Sequence, residues 1–330
     1  MAQVWDLIGD IGGTNMRLAA CRDGQLGPAR IFATKGGMHL SDAIETFAAD
    51  IGTLPDRAVV AAAGPVRDGV VTLTNSGMRI DQRDIAKQTN HGVARVLNDF
   101  EAAAWSQVEI DRNAISTIHG QAAFPAAPRL IMGPGTGLGV GSIVWHEAGP
   151  VVIPGEGGHV RVAAQNAREM AIYATYARLF PEFVMGQGVA LEAEAVASGT
   201  GIPNLYAAIA ETDGTPAPAA STKEIFAAAR SGDAIATETV TLCCTSIARI
   251  AGDLALFLNA AGGVFICGGV AAANPWAFDN DAVRDGFTAG GRFTDLRQSY
   301  ALHLVTSGEF GLLGGINYLK HSRGPSSNAG

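Results

Sequence analysis

The sequence predicts an α/β protein of two domains, and three observations carry that expectation. The chain has 330 residues of which 48% are apolar, enough to bury two cores and too apolar for a disordered chain. Its first half alternates short β-prone apolar runs with glycine-rich turns, and its second half carries longer stretches with helical spacing of apolar residues.

Taken in order, residues 4–8 form a β-prone run that passes through Gly9-Asp10-Ile11-Gly12-Gly13-Thr14-Asn15 into a second such run at 16–21. Much later, residues 129–132 lead through Gly133-Pro134-Gly135-Thr136-Gly137-Leu138-Gly139 into 140–145, so one strand–turn–strand arrangement occurs twice. Between them, apolar runs at 59–63, 70–74 and 93–97 read as buried strands of one sheet, the last feeding Asn98-Asp99 and a helix over 100–106. Helices are expected at 166–178, at 189–198 and at 221–230, where Ser221 and Glu224 have capping-box spacing. A long helix is expected over 233–258, with Val240, Cys243, Ile247, Ile250, Leu254 and Leu258 on one face, and residues 259–263 stop it before a strand at 264–267. A Pro- and Ala-rich loop at 213–220 and a frayed tail at 322–330 complete the reading. Chain crossings near 108 and 310 divide it into a small domain, 1–108 plus about 311–330, and a large one, 109–310.

The net charge of −8 without a cluster of Lys and Arg argues against nucleic acid as a partner. The start lacks a basic region followed by an apolar one, and no uncharged apolar stretch of about 18 residues occurs, so neither export nor a membrane partner is expected and the location expected is cytoplasmic. Cys21, Cys243, Cys244 and Cys267 lack metal-site spacing and read as small core side chains.

The chemistry is concentrated in four places. A glycine-rich turn joining two strands differs from phosphate loops that enter a helix; Gly12 and Gly13 would let backbone approach a triphosphate while Thr14 adds a hydroxyl. A carboxylate beside phosphates repels them unless a cation intervenes, so Asp10 reads as holding Mg²⁺ through water. An ordinary hairpin turn is the alternative for either glycine run alone, and the presence of two counts against it. Asp99, at a strand end where a helix begins, is either a helix cap or the base that accepts a hydroxyl proton during phosphoryl transfer, with Asn98 holding a neighbouring hydroxyl. Glu156-Gly157-Gly158-His159 has the spacing of a metal pair, but its glycines argue against the helix such a pair uses, and hydrogen bonding to vicinal sugar hydroxyls suits it better.

On Asp10-Ile11-Gly12-Gly13-Thr14, Asn98-Asp99-Phe100-Glu101-Ala102, Gly135-Thr136-Gly137-Leu138-Gly139 and Gly155-Glu156-Gly157-Gly158-His159-Val160, the chain resembles the bacterial glucokinase family. Further likeness in 198–206, 263–270 and 311–314 extends the match over residues 4–320. The resemblance implies a two-domain actin-like ATPase (ribonuclease H-like) fold of hexokinase type, with the active site in the cleft between domains. It implies MgATP as co-substrate, glucose phosphorylated at its 6-hydroxyl, and a homodimer. The nucleotide would meet Gly9, Asp10, Ile11, Gly12, Gly13, Thr14, Gly135, Thr136, Gly137, Gly268 and Gly269; the sugar would meet Asn98, Asp99, Glu156, His159 and Glu194, with Glu192 close by in sequence as the competing carboxylate. The related repressor and sugar-kinase family adds a zinc-binding cysteine cluster, and residues 160–240 contain no cysteine, which favours the branch without zinc. Rival readings are a kinase for another hexose, an amino sugar or polyphosphate as donor, and a sugar-sensing regulator without activity; an intact Asp99 and two intact turns speak against the regulator.

Overall fold

The computed structural model describes residues 4–34, 38–73, 76–216 and 218–322. The expected tail beyond 322, Thr74 and Ala217 of the Pro- and Ala-rich loop lie outside the described residues. The chain divides into two compact units: residues up to Ile110 with Trp145–Pro154 and the chain from Glu309 on, and Asp111–Val144 with Gly155–Gly308. The segment Trp145–Pro154 therefore groups with the first unit, whereas the sequence reading kept it in the large domain.

In the first unit β1 (Asp6–Ile11), β2 (Asn15–Arg22), β3 (Gln25–Leu26), β4 (Arg30–Ala33), β5 (Arg57–Ala62) and β8 (Val93–Asn98) form a sheet of order β3-β2-β1-β5-β8, with β4 also on β2. β1 runs antiparallel to β2 and parallel to β5, and β5 parallel to β8. Successive residues of a strand face opposite sides, and here both sides are buried. Leu7, Leu18, Val60 and Val96 enter one core with Ile44 and Phe47 of α1 (Leu40–Ile51). Ile8, Ala19, Val59 and Leu97 enter another with Trp105 of α3 (Asp99–Ser106) and Leu312 and Ile316 of α13 (Phe310–His321). The run at 70–74 is a correction: among the described residues β6 (Val70–Thr72) pairs with β7 (Arg79–Asp81), in a separate ribbon followed by α2 (Gln82–Ala86). The left-handed pair Asp68 and Gly69 turns the chain sharply just before it, folding Val70 back against Arg67, and the strand then pairs locally with β7.

In the second unit β9 (Ile115–His119), β10 (Arg129–Pro134), most of β11 (Leu138–His146), β15 (Val264–Ile266) and β16 (Leu302–Val305) form a sheet of order β11-β10-β15-β16-β9, and β12 (Gly149–Gly155), which follows β11, lies all but its last residue in the segment grouped with the first unit. A hairpin followed by two parallel strands, β11-β10-β15-β16, repeats the order β2-β1-β5-β8 of the first sheet. A ribbon of β13 (Arg161–Val162) and β14 (Leu191–Glu192) stands apart. The helices are α4 (Ala167–Leu179), α5 (Ala193–Ala197), α6 (Gly201–Thr212), α7 (Thr222–Arg230), α8 (Ala234–Leu258), α9 (Gly269–Ala273), α10 (Pro275–Phe278), α11 (Asp281–Thr288) and α12 (Thr294–Ser299).

Local chemistry sets these boundaries. Ser221 and Glu224 close the expected capping box on α7, Asp233 caps α8 through the Ala236 N–H, and Asn259 ends α8 in the left-handed region at φ 52°. α8 has the length and apolarity of a membrane-crossing helix, but it is a core helix, with Val240, Cys243, Ile247 and Ala251 inside the second hydrophobic core. The four cysteines are buried, as expected of small core side chains. The helix expected over 189–198 is shorter, because Leu191 and Glu192 are drawn into pairing with Val162 and Arg161 before the helix begins.

Candidate active site

The first glycine turn joins β1 to β2, with Asp10 opposite Arg17 and Ile11 opposite Met16. Gly12 donates to the Asn15 carbonyl at 2.9 Å. Buried Thr34, which the sequence reading did not single out, donates its N–H to the Thr14 carbonyl (2.9 Å) and its hydroxyl to the Gly12 carbonyl (3.1 Å). The Gly12 and Thr14 carbonyls are thus held by protein, which offsets partial negative charge that would repel a phosphate. Gly12 does not have a positive φ, and a Cβ added there would meet only the Asn15 carbonyl, at an ordinary 3.6 Å. Its usefulness is the open space above the turn. Gly12→Ala should therefore keep the wild-type melting temperature and raise KM for MgATP about 10-fold or more; an unchanged KM would remove phosphate approach at this turn.

Asp10 sits mostly buried, and its only ion pair among the described residues is with Arg17 at 3.8 Å. Burial pushes its carboxyl up, against the opposing pull of Arg17. Gly311, near the start of α13, makes the room: a Cβ there would lie 2.5 Å from the Asp10 carboxyl carbon. A crowded carboxylate with one distant cation suits a divalent ion as partner. Among the described residues no group of three or more His, Cys, Asp or Glu is placed to hold a metal, so an ion at Asp10 would take its remaining ligands from water and phosphate, as Mg²⁺ commonly does.

At the end of β8 the structure divides two roles that the sequence left open. Asn98 is the cap of α3, its Oδ1 accepting from the N–H groups of Phe100 (2.8 Å) and Glu101 (3.2 Å) while its Nδ2 donates to the Gly64 carbonyl (2.9 Å). Asp99 is the first helical residue, relieved of capping, with its Oδ1 accepting from the Phe100 N–H at 3.1 Å. The carboxylate reaches solvent, yet desolvation by the dense protein around it, aided by the charge of Asp10, pushes its pKa up to about 6. Such a value suits a base operating near neutral pH. The Asn98 side chain thus ties backbone together on its oxygen and on one N–H, and it also hydrogen-bonds the Asp99 carboxylate, which partly offsets the rise.

In the second unit the turn Gly135-Thr136-Gly137 joins β10 to β11 and is clamped by the corner between α5 and α6. The Gly199 N–H donates to the Gly135 carbonyl (2.9 Å), and Thr200 reaches the Thr136 carbonyl from its N–H (3.2 Å) and its hydroxyl (3.0 Å). Glu194 takes the Leu138 N–H on its Oε2 at 2.8 Å. The parallel pairing of β10 with β15 brings Gly268 beside this turn, at φ 97° and with its Cα facing the Pro134 carbonyl, which a Cβ would approach to 2.7 Å. Gly269 opens α9 with empty space over it.

Glu156, Gly157, Gly158 and His159 follow β12, and the glycines do not forbid helix altogether, since Gly157–His159 make one 3₁₀ turn. Gly157 rests on Val140 and buried Gly158 on the Leu138 carbonyl, so this loop lies directly on the strand leaving the second turn. His159 Nδ1 is 3.0 Å from Oε2 of Glu192, the carboxylate the sequence reading set second to Glu194. That hydrogen bond, with Glu194, Glu192 and Glu156 nearby, raises the imidazole pKa. The structure thus gathers Glu156, His159, Glu194, the second turn and Gly268-Gly269 within one unit, and Asp10, the first turn, Asn98 and Asp99 within the other. Thr34 was missed, and Gly311 and Ser198–Gly201 were read only as family likeness without a role, because each acts on distant backbone or by leaving space, which leaves no local pattern in sequence.

The family model described as Glucokinase matches residues 7–322. The chain is 36% identical over 304 residues to a glucokinase of Chelativorans sp. (strain BNC1), covering 91% of this chain and 86% of that protein. It is similar in structure to a glucokinase from an Antarctic psychrotroph, with a TM-score of 0.84, 27% identity and coverage of 96% and 99%. It is also similar in fold to a glucokinase from Balamuthia mandrillaris in complex with glucose, with a TM-score of 0.80, 20% identity and coverage of 95% and 92%.

Proposed function

The chain belongs to the glucokinase family and catalyses ATP-dependent phosphorylation of glucose, and from that premise we propose which of its residues perform each part of the reaction. Asp99 accepts the proton of the 6-hydroxyl as that oxygen attacks the γ-phosphorus. Glu156, His159 and Glu194 bind sugar hydroxyls, and the Asn98 amide beside Asp99 adds one contact. The two glycine turns bind the phosphates through backbone N–H groups and the Thr14 and Thr136 hydroxyls, and Gly268-Gly269 leave space for the adenosine. Asp10 would hold the Mg²⁺ of MgATP through water, and the ion would supply charge neutralisation on the phosphates.

The observation that carries this assignment is the duplication. The same turn occupies the same place in two sheets that share a four-strand order, and in each case two or more turn carbonyls are bound by the turn's own unit. Phosphoryl transfer requires placement and charge neutralisation more than covalent chemistry, so two turns, one ion and one base suffice. The proposal includes a cytoplasmic homodimer, to be checked by fractionation and by sedimentation velocity, where a monomer mass would remove the dimer.

A coupled assay over a panel of hexoses and amino sugars, with ATP or polyphosphate as donor, tests the substrate half. Glucose with ATP should give the highest kcat/KM, and a higher value for another pair would displace it. Turnover should require Mg²⁺ and withstand a zinc-selective chelator. Stoichiometric zinc that leaves together with activity would refute the ion assignment.

A further inference from the structure

We propose that Glu192 is a positioning residue for glucose binding, fixing the ring orientation and tautomer of His159 so that Nε2 is presented to a sugar hydroxyl. The inference rests on the reading of His159 as a sugar ligand and adds a residue to it. Its basis is a chain of placements. β13 and β14 pair antiparallel with Arg161 opposite Glu192, and the Ala193 N–H donates to the Val160 carbonyl at 2.7 Å, so the start of α5 is stitched to the segment that follows His159. Glu192 occupies the N-cap position of α5 but makes no side-chain cap bond. Its Oε2 goes to His159 Nδ1 at 3.0 Å instead, with the imidazole half-exposed at 51% and Glu192 more sheltered at 21%.

An ionised carboxylate only accepts hydrogen bonds, so Nδ1 must carry the proton. Nε2 is then an acceptor in the neutral ring and a donor in the cation, and a hydroxyl can meet either form. What a hydroxyl cannot tolerate is a ring that rotates or exchanges tautomers. The charged groups around His159 are Glu156 in its own loop, Glu192 and Glu194 from β14 and α5, and Arg161 on the strand opposite Glu192. Glu194 turns its Oε2 to the Leu138 N–H, whereas Glu192 is the carboxylate hydrogen-bonded to the ring, so Glu192 is the one that orients it. The hydrogen bond to Glu192 is also the largest cause of the raised imidazole pKa.

The test is Glu192→Gln, whose amide can donate to Nδ1 and so admits the opposite tautomer. Wild-type protein labelled with ¹⁵N-histidine should show His159 protonated at Nδ1 and titrating above the ordinary 6.5; in the variant the titration should move down and the tautomers mix. KM for glucose should rise about 3- to 10-fold, the worth of one hydrogen bond, with a smaller change in kcat. In a His159→Gln background the same substitution should add nothing to KM. An unchanged His159 titration and tautomer in Glu192→Gln, or a KM effect that adds in full to that of His159→Gln, would overturn the proposal alone, the second by showing that Glu192 meets the sugar directly. A wild-type KM in His159→Gln would remove the sugar-site reading itself.

Discussion

Replacing Asp99 with Asn should lower kcat by roughly 10²- to 10⁴-fold while glucose affinity, measured by calorimetry, weakens far less. The change keeps the size of the side chain and removes only its ability to take a proton. Folding should survive because the helix cap is Asn98, whose bonds to Phe100 and Glu101 are untouched. The pH dependence gives an independent check. With the carboxyl pushed up to about 6, kcat/KM of the wild type should fall as pH drops through about 6, because the protonated acid cannot accept the hydroxyl proton. The same shift has a stability consequence of definite sign. The folded-state value lies above the ordinary 3.8, so ionising Asp99 destabilises the fold; stability is lost as pH rises from 3.8 through about 6. Asp99→Asn should therefore be at least as thermally stable as wild type at pH 8, with the advantage shrinking toward pH 4. A variant that keeps more than about a tenth of wild-type kcat at saturating glucose would sink the base assignment, since the expected loss starts near 10². Glu101→Gln is the control, because Glu101, in the same helix as Asp99, is paired with Arg95 of β8 at 3.3 Å and its replacement should leave kcat close to wild type.

The second large effect is expected from one methyl group at position 158. Gly158 is buried against the Leu138 carbonyl, and an added Cβ would overlap that oxygen and lie 2.9 Å from its carbon. These are backbone atoms of β11, so no side chain can rotate away to relieve the clash, and overpacking of this kind costs about 1–3 kcal/mol. The strain cannot stay local. Gly158 lies between Glu156 and His159, and Leu138 carries the N–H held by Glu194 at the second turn. Gly158→Ala should lower the melting temperature and raise KM for glucose roughly 10- to 100-fold as two hydrogen-bonding side chains are displaced. KM for MgATP should rise as well. Calorimetry of both ligands, with scanning calorimetry of the variant, measures each part. Wild-type melting with wild-type KM values would mean that the loop does not rest on β11 in solution.

Much of this site could be read before any coordinates. The two glycine turns, Asp10, Asn98-Asp99 and the Glu156–His159 loop are contiguous in sequence and lie at strand ends, where alternating apolar runs stop and glycines begin. Local chemistry of that sort is written in neighbouring residues, so strands, caps and turns near them were correctly expected, as with β10, β11, α7 and α8. Resemblance to a family extended the reading to fold and reaction, and the matched family model and structures carry both.

Other features depended on chain segments far apart in sequence. The run at 70–74 is as apolar as its neighbours, yet a left-handed turn before it places it in another ribbon. Asn98 and Asp99 are adjacent and either could cap a helix; their roles separate only because Asn98 also reaches Gly64 and because protein crowds Asp99. Glu192 and Glu194 are two residues apart, and nothing nearby distinguishes them. The pairing of β13 with β14 turns Glu192 to His159, and the approach of β11 to α5 gives Glu194 the Leu138 N–H. Sequence determined which side chains can do chemistry, because that is a property of residue type and short spacing. Tertiary structure decided which of them is free to do it, because hydrogen-bond partners and desolvation are set by residues 30 or more positions away, as His159 is from Glu192 and Asn98 from Gly64.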